Sequence, residues 1–251
     1  MRNIKQALQE HKQVVIDAGF SEKQILGVLL YGSQNYGLAT ESSDVDTKVI
    51  LIPTIDDLCS KKAGFVKEYQ TNNNEKVVIM DLIHYFDNLK KQNINYVETL
   101  FTEYRWINPD HVWLWGALQS MREVIAYYDV NKAIQSMSHQ ALHSLKQDSG
   151  NIKKYAMAKY ISNFLKIYAV DKENRVSYKE ALCQQPYLLK EVLDIKTGKQ
   201  NYTGFDVIQL KTYFEEIVNT KIFDTELSEK QTIDKYLLGL LTAAVRHLDN
   251  L

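Results

Sequence analysis

Apolar residues recur at helical spacing over residues 2–18, where Ile4, Leu8, Val14 and Val15 share one side and Gly19 closes the segment. The unbroken apolar run Ile25 to Tyr31 (ILGVLLY) then predicts a buried strand stopped by Gly32. Residues 33–43 (SQNYGLATESS) are small and polar, suiting a tight turn with about one helical turn. A second strand is predicted from Asp44 to Ile52, stopped by Pro53, and Thr54 is placed to cap a short helix through Leu58. Residues 65–71 and 76–83 flank Asn72-Asn73-Asn74 and read as a hairpin. Helical periodicity returns from His84 to Tyr104 through Phe86, Leu89, Tyr96, Val97 and Leu100. From Asp110 onward the pattern is helical only, over 110–128, 131–147, 151–170, 205–222 and 229–249, with 197–204 (TGKQNYTG) as the clearest loop. The expectation is an α+β chain: a small mixed or antiparallel sheet domain over residues 1–108, then an all-helical domain over 109–251.

Composition supports long helices. Only 10 Gly and 3 Pro occur in 251 residues, too few breakers for a many-stranded sandwich. The formal net charge is -1, so no global basic field attracts nucleic acid, and any such contact must come from a local patch. Cys59 and Cys183 match no metal-ligand spacing and read as idle thiols in a reducing compartment. Charged residues interrupt the first twenty positions, and no stretch reaches the roughly 18 apolar residues of a membrane span. A cytoplasmic protein with no membrane partner is expected.

The candidate chemistry begins at Asp44-Val45-Asp46. On extended backbone, alternate side chains share a face, so both carboxylates project together while Val45 packs the other way. Two such charges about 5 Å apart repel by about 3 kcal/mol at an effective dielectric near 20. Solvent or a cation must offset that, and open-sided carboxylate pairs suit Mg²⁺. Alone, the pair reads as a solvated strand edge. Its surroundings change the reading. Eleven residues upstream of Asp44, Gly32-Ser33 ends a buried strand and opens a turn able to present N–H groups and a hydroxyl to phosphate. Downstream, Asp81 interrupts the apolar run Val77 to Ile83, where a charge is costly unless paired or facing a metal. If its strand lies beside that of Asp44, Asp81 would reach the same cation. Asp87, in the following helix, is the weaker rival.

The stretch from Tyr31 to Asp46 (YGSQNYGLATESSDVD) closely resembles the signature of the DNA polymerase β-like nucleotidyltransferase superfamily. Gly37-Leu38-Ala39 followed by Ser43-Asp44 is similar to predicted bacterial and phage nucleotidyltransferases linked to RNA repair, and Asp81 to Leu100 extends the likeness. One departure is Ile94, where such relatives usually carry proline. The resemblance covers roughly residues 25–104. It implies that Asp44 and Asp46 bind two metals, Mg²⁺ or Mn²⁺, and that Asp81 shares one of them and activates the attacking hydroxyl. It further implies that Gly32 and Ser33 hold a nucleoside triphosphate.

The helix at 151–170 interleaves Lys153, Lys154, Lys159 and Lys166 with Tyr155 and Tyr160. Similar proteins often carry a basic helix here, which makes Lys154 and Lys159 the candidate nucleotide contacts; a solvated basic face is the rival reading. His139 and His143 stand four apart without a third ligand, which favours a cleft-lining pair over a metal site. Trp106, Trp113 and Trp115 are expected to cement the junction of the halves. Together these residues predict transfer of a nucleoside monophosphate to an acceptor hydroxyl with release of pyrophosphate. An RNA 3′ end is the first-choice acceptor, and a protein or small molecule the second. A non-catalytic regulatory protein keeping the fold is the rival from another class, and an Asp-x-Asp glycosyltransferase the rival enzyme.

Overall fold

The computed structural model describes residues 2–147, 150–170, 176–200, 204–219 and 227–251. Helix α1 (Ile4–Asp17) is capped by the Asn3 side chain, and a 3-10 turn capped by Ser21 leads into strand β1 (Ile25–Leu30). Strand β2 (Thr47–Leu51) follows, then a short helix α2 (Ile55–Cys59) capped by Thr54. The edge strand β3 (Val66–Gln70) turns into β4 (Lys76–Asp81) through Asn74, which holds a left-handed φ of 60°. This is the asparagine-rich hairpin expected from the sequence. Helices α3 (Leu82–Lys90) and α4 (Ile94–Val97), a 3-10 turn and the three-residue strand β5 (Arg105–Ile107) complete the sheet-bearing part.

The sheet is mixed, with strand order β3-β4-β2-β1-β5. β1 lies antiparallel to β2 and β5, β3 antiparallel to β4, and β2 parallel to β4. Both faces are covered, which is why β1 and β2 are apolar almost throughout. Val28, Val49, Val77 and Ile79 pack against Leu8 and Val15 of α1. Their neighbours Leu29, Ile50, Val78 and Met80 face the opposite way, into the principal core with Leu82, Tyr85 and Phe86. The exposed β3 edge carries Lys67 and Glu68, charges that discourage pairing with another chain.

Everything described after Ile107 is helical: α5 (Val112–Ser120), α6 (Arg122–Tyr127), α7 (Val130–Gln147), α8 (Ile152–Val170), α9 (Tyr178–Cys183), α10 (Pro186–Lys196), α11 (Gly204–Asn219) and α12 (Leu227–Asp249). The single helix expected over 110–128 is divided at Met121, and the segment expected over 84–104 is divided at Lys91 to Asn93. Helices α9 and α10 had no counterpart in the sequence pattern. The expected loop at 197–204 and the end of the helix expected at 205–222 lie partly outside the described residues. No described helix is long and apolar enough to cross a membrane.

One core cluster runs from the sheet through these helices. The aromatic junction is made chiefly by tyrosines and a phenylalanine rather than by the three tryptophans. Tyr36, in the loop between β1 and β2, is buried edge-on against Phe164. Its carbonyl accepts from the Tyr160 hydroxyl at 3.3 Å, and its hydroxyl accepts from Tyr178 at 3.5 Å. Trp115 is buried in this core, whereas Trp113 is 40% exposed and meets His247, and Trp106 packs toward α1.

Candidate active site

The loop between β1 and β2 is built around two glycines. Gly32 has φ +88° and Gly37 φ +68°; a Cβ at Gly32 would meet nothing within 4 Å, so backbone conformation, not space, selects glycine there. The Leu38 amide returns to the Ser33 carbonyl at 2.9 Å and closes the turn, and Tyr36 and Leu38 anchor it in the core. The chain comes back extended, and the Tyr31 amide donates to the Asp46 carbonyl at 3.1 Å. β2 begins only at Thr47, so the acid pair lies on the approach to the strand, not within it as the sequence suggested. The alternation persists: Val45 is fully buried, while Asp44 is exposed and Asp46 half-buried.

Asp44 and Asp46 line one cavity of about 200 Å³ together with Tyr31, Ser33, Thr40, Ser42 and Ser43. Burial pushes the Asp46 carboxyl above its usual range, the Asp44 charge adds to this, and the Lys76 amide, donating to Oδ1 at 2.8 Å, opposes it. The remaining wall comes from the helical part, as Lys153 of α8 and Lys196 of α10. The Lys196 ammonium donates to the Leu38 carbonyl at 2.5 Å. Burial and then the Lys153 charge lower its proton affinity. The cavity wall thus joins two carboxylates with two lysine side chains, a mixed-charge lining of the kind that can receive both a cation and an anion.

Two sequence expectations are corrected by this arrangement. Asp81 does not reach the pocket. Its strand does adjoin β2, but the two run parallel, with Thr47 opposite Val77 and Leu51 opposite Asp81. Asp81 is therefore at the far end of the sheet, five residues or roughly 16 Å along the strand from the row of Asp46. There it is fully buried and caps α3, accepting from the His84 amide at 2.9 Å and from the Gly64 amide. Beside Asp46 stands Lys76, whose side chain pairs with Glu68 at 2.9 Å. On α8 the pocket-lining cation is Lys153. Lys154 reaches the Ser144 hydroxyl at 3.2 Å instead, and Lys159 is half-buried and does not line this pocket.

Beneath the turn lies a pair with no site role in the sequence reading: Glu98, which enters there only as the end of the Asn-rich turn in the stretch resembling the superfamily, and Lys48. Glu98 is buried; its Oε2 accepts from the Gly32 amide at 3.0 Å and from Asn35 Nδ2 at 3.2 Å, while Oε1 is buried without a partner. The Gly32 N–H is thus spent on Glu98 and is not offered to a ligand, which leaves Ser33 as the pocket-lining member of the pair. Lys48, two residues beyond Asp46 on the same face, is 3% exposed, with its ammonium 3.1 Å from the centre of the Tyr31 ring. Burial lowers the proton affinity of Lys48, which Glu98 and then Asp46 restore in part; burial raises that of Glu98. A lysine inside the apolar strand Thr47–Leu51 was the available signal, by the same logic that singled out Asp81.

No family model matches the chain, and no curated protein matches it. Among the described residues no group of three or more His, Cys, Asp or Glu side chains is gathered for a metal. The donors that are present suit Mg²⁺ or Mn²⁺ all the same. Hard cations of this kind are commonly held by one or two carboxylates, with water and substrate phosphate completing the shell, and Asp44 and Asp46 supply those oxygens on an open, polar wall.

Proposed function

We propose that the protein is a divalent-metal-dependent nucleotidyltransferase, moving a nucleoside monophosphate from a nucleoside triphosphate to an acceptor hydroxyl. The observation that carries this reading is the joining of Asp44 and Asp46 with Ser33, Lys153 and Lys196 around one polar cavity. Asp44 and Asp46 would hold Mg²⁺ or Mn²⁺, which supplies charge neutralisation at the reacting phosphate and lowers the pKa of a bound hydroxyl. Ser33 and the two lysines orient and neutralise the triphosphate tail. The acceptor oxygen bonds to the α-phosphorus as the bond to the bridging oxygen breaks. The hydroxyl proton passes to the carboxylate pair and thence to water, and pyrophosphate departs toward the lysines. Such a reaction asks the protein mainly for positioning and charge stabilisation. The mixed sheet with a Gly-Ser turn between its first two strands agrees with the superfamily resemblance drawn from the motif.

A second reading is a nucleotide-binding regulatory protein that does not transfer. It is favoured by one observation: a lysine, Lys76, and not a third acid, stands beside Asp46. Both readings are tested by supplying each α-labelled nucleoside triphosphate with Mg²⁺ or Mn²⁺ and total RNA or lysate, with Asp44→Ala and Asp46→Ala alongside. Label transfer that disappears in both variants supports the enzyme. Metal-dependent nucleotide binding without transfer supports the regulator, and transfer surviving both substitutions refutes the mechanism.

A further inference from the structure

Lys153 belongs to two cavities. Beyond the acidic pocket it lines a larger one, of about 480 Å³, between the α3–α4 turn and helices α7 and α8. That larger cavity shares Met137, Gln140, Lys154 and Ala158 with a neighbouring third, of about 430 Å³, bordered by His139 and His143. The three lie side by side along α8, a row that starts at Asp44 and Asp46. Its charge is unlike that of the chain as a whole. The protein has 30 Lys and Arg against 31 Asp and Glu. The two outer cavities nevertheless carry Lys91, Lys153, Lys154 and the two histidines, with no carboxylate among their described lining residues.

The polar groups between these cations are mostly amides: Asn88, Gln92, Asn93, Asn95, Gln140 and Asn151. An amide carries both donors and an acceptor, the complement needed by the edge of an unpaired base. Asn88 and Asn93 bond each other and nearby backbone, and Asn151 Oδ1 accepts from the Lys154 amide, so Gln140 and Asn95 are the side chains best placed to offer both. Gln92 is the most telling. It is 1% exposed, its Nε2 is committed to the Leu89 and Ile125 carbonyls, and its Oε1 is buried with no partner. A buried acceptor left open beside a cavity is costly unless something donates to it. Met137, Met157 and Ile161 supply polarisable apolar walls for flat rings.

We infer that these neighbouring cavities act as one groove that takes a single-stranded nucleic acid and leads its end toward Asp44 and Asp46, with Lys91, Lys153 and Lys154 on phosphates and the uncommitted amide groups, Gln140 and Asn95 foremost, on base edges. That the strand is the acceptor rests on the proposed transferase reading; the binding itself does not. A duplex, whose base edges are already paired, does not fit amides recessed in a cavity. A single mononucleotide leaves the outer cavity unused.

The test is fluorescence anisotropy of the full chain with a short dye-labelled single-stranded RNA, and DNA of the same sequence, titrated at stepped salt. Replacing Lys91 and Lys154 together by alanine is expected to weaken binding at least ten-fold. It should also reduce the slope of log K against log salt by about 1.4, from about 0.7 per single-strand phosphate contact. Gln140→Ala should alter base preference and leave the slope unchanged. RNA bound more tightly than DNA, or equally, agrees with the proposal. Equal competition by duplex or by polyglutamate overturns it, as does full displacement of the strand by a mononucleotide or unchanged binding in the double-lysine variant. Asp44→Asn separates the two claims. Strand binding that depends on the lysines while no label is ever transferred keeps the groove and removes the enzyme. Label transfer to a strand that is indifferent to Lys91 and Lys154 keeps the enzyme and removes the groove.

Discussion

Replacing Glu98 should loosen the turn between β1 and β2 without changing any residue that lines the acidic pocket. In Glu98→Ala, the Gly32 amide and the Asn35 side chain lose their shared acceptor. Each buried donor left open costs about 1–3 kcal/mol. Lys48 also loses the first of the charges that sustain its own in a buried site. A total of about 4 kcal/mol follows, within the 3–5 kcal/mol typical when one partner of a buried charge pair is removed. For a chain of this size that lowers Tm by roughly 8–16 °C. Glu98→Gln keeps an acceptor oxygen for both donors and mimics the protonated acid, so about 1–2 kcal/mol is expected. Urea denaturation of both variants, with metal-dependent triphosphate binding measured on the folded protein, checks this. The alanine variant should bind nucleotide more weakly even where fully folded, because Gly32 no longer fixes Ser33. Equal stability of the two variants, or undiminished nucleotide binding in Glu98→Ala, would refute the assignment of Glu98 as the brace of the turn.

Four further outcomes follow from the same geometry. Asp81→Ala should cost about 1–2 kcal/mol through loss of the α3 cap, yet leave metal-dependent nucleotide affinity unchanged by titration calorimetry; a collapse of affinity in folded protein would return Asp81 to the site. Lys196→Met should weaken triphosphate binding about ten-fold, equivalent to about 1.4 kcal/mol, in the same assay. Gly27→Ala places a Cβ 2.8 Å from Ile107 Cδ1 and 2.9 Å from the Trp106 carbonyl, and should cost about 1–3 kcal/mol of stability by urea unfolding as β5 is pushed away. His11 is fully buried between the Thr47 hydroxyl and Glu75, and burial holds its pKa below the ordinary 6.5. The unfolded chain therefore binds the proton first, so stability is full above 6.5 and declines as pH falls toward the folded pKa. Melting curves between about pH 7.5 and 5.5 should show this decline, and His11→Gln should flatten it.

Periodicity and turn chemistry made the sheet strands β1, β2 and β4, the hairpin and most of the long helices legible, because each is a local pattern. The Gly-Ser turn and the acid pair were legible for the same reason. Asp81 shows where local reasoning ends. The adjacency of its strand to β2, the condition set for its joining the site, is met, but an antiparallel pairing would have been needed to bring the acid near Asp46, and the parallel one carries it to the opposite end. Strand direction is decided by the connection and the packing of α1 and α3, not by the residues of the strand. Lys196 was missed because α10 was not anticipated and because its partner, the Leu38 carbonyl, is 158 residues away. β5, at three residues, is too short to leave a pattern.

The grip on Tyr36 bears on how the chain could be divided or recombined. The loop that carries Ser33 and the acids is written entirely in the first part of the sequence, but its fasteners, Tyr160, Tyr178 and Lys196, arrive more than a hundred residues later. A fragment ending near Ile107 would retain every described strand and both carboxylates while losing each of those three anchors. During synthesis the same order holds, so the site cannot take its final shape until α10 has emerged. Exchange of the helical part for another would succeed only where the incoming helices offer a socket for one tyrosine and a cation for one carbonyl.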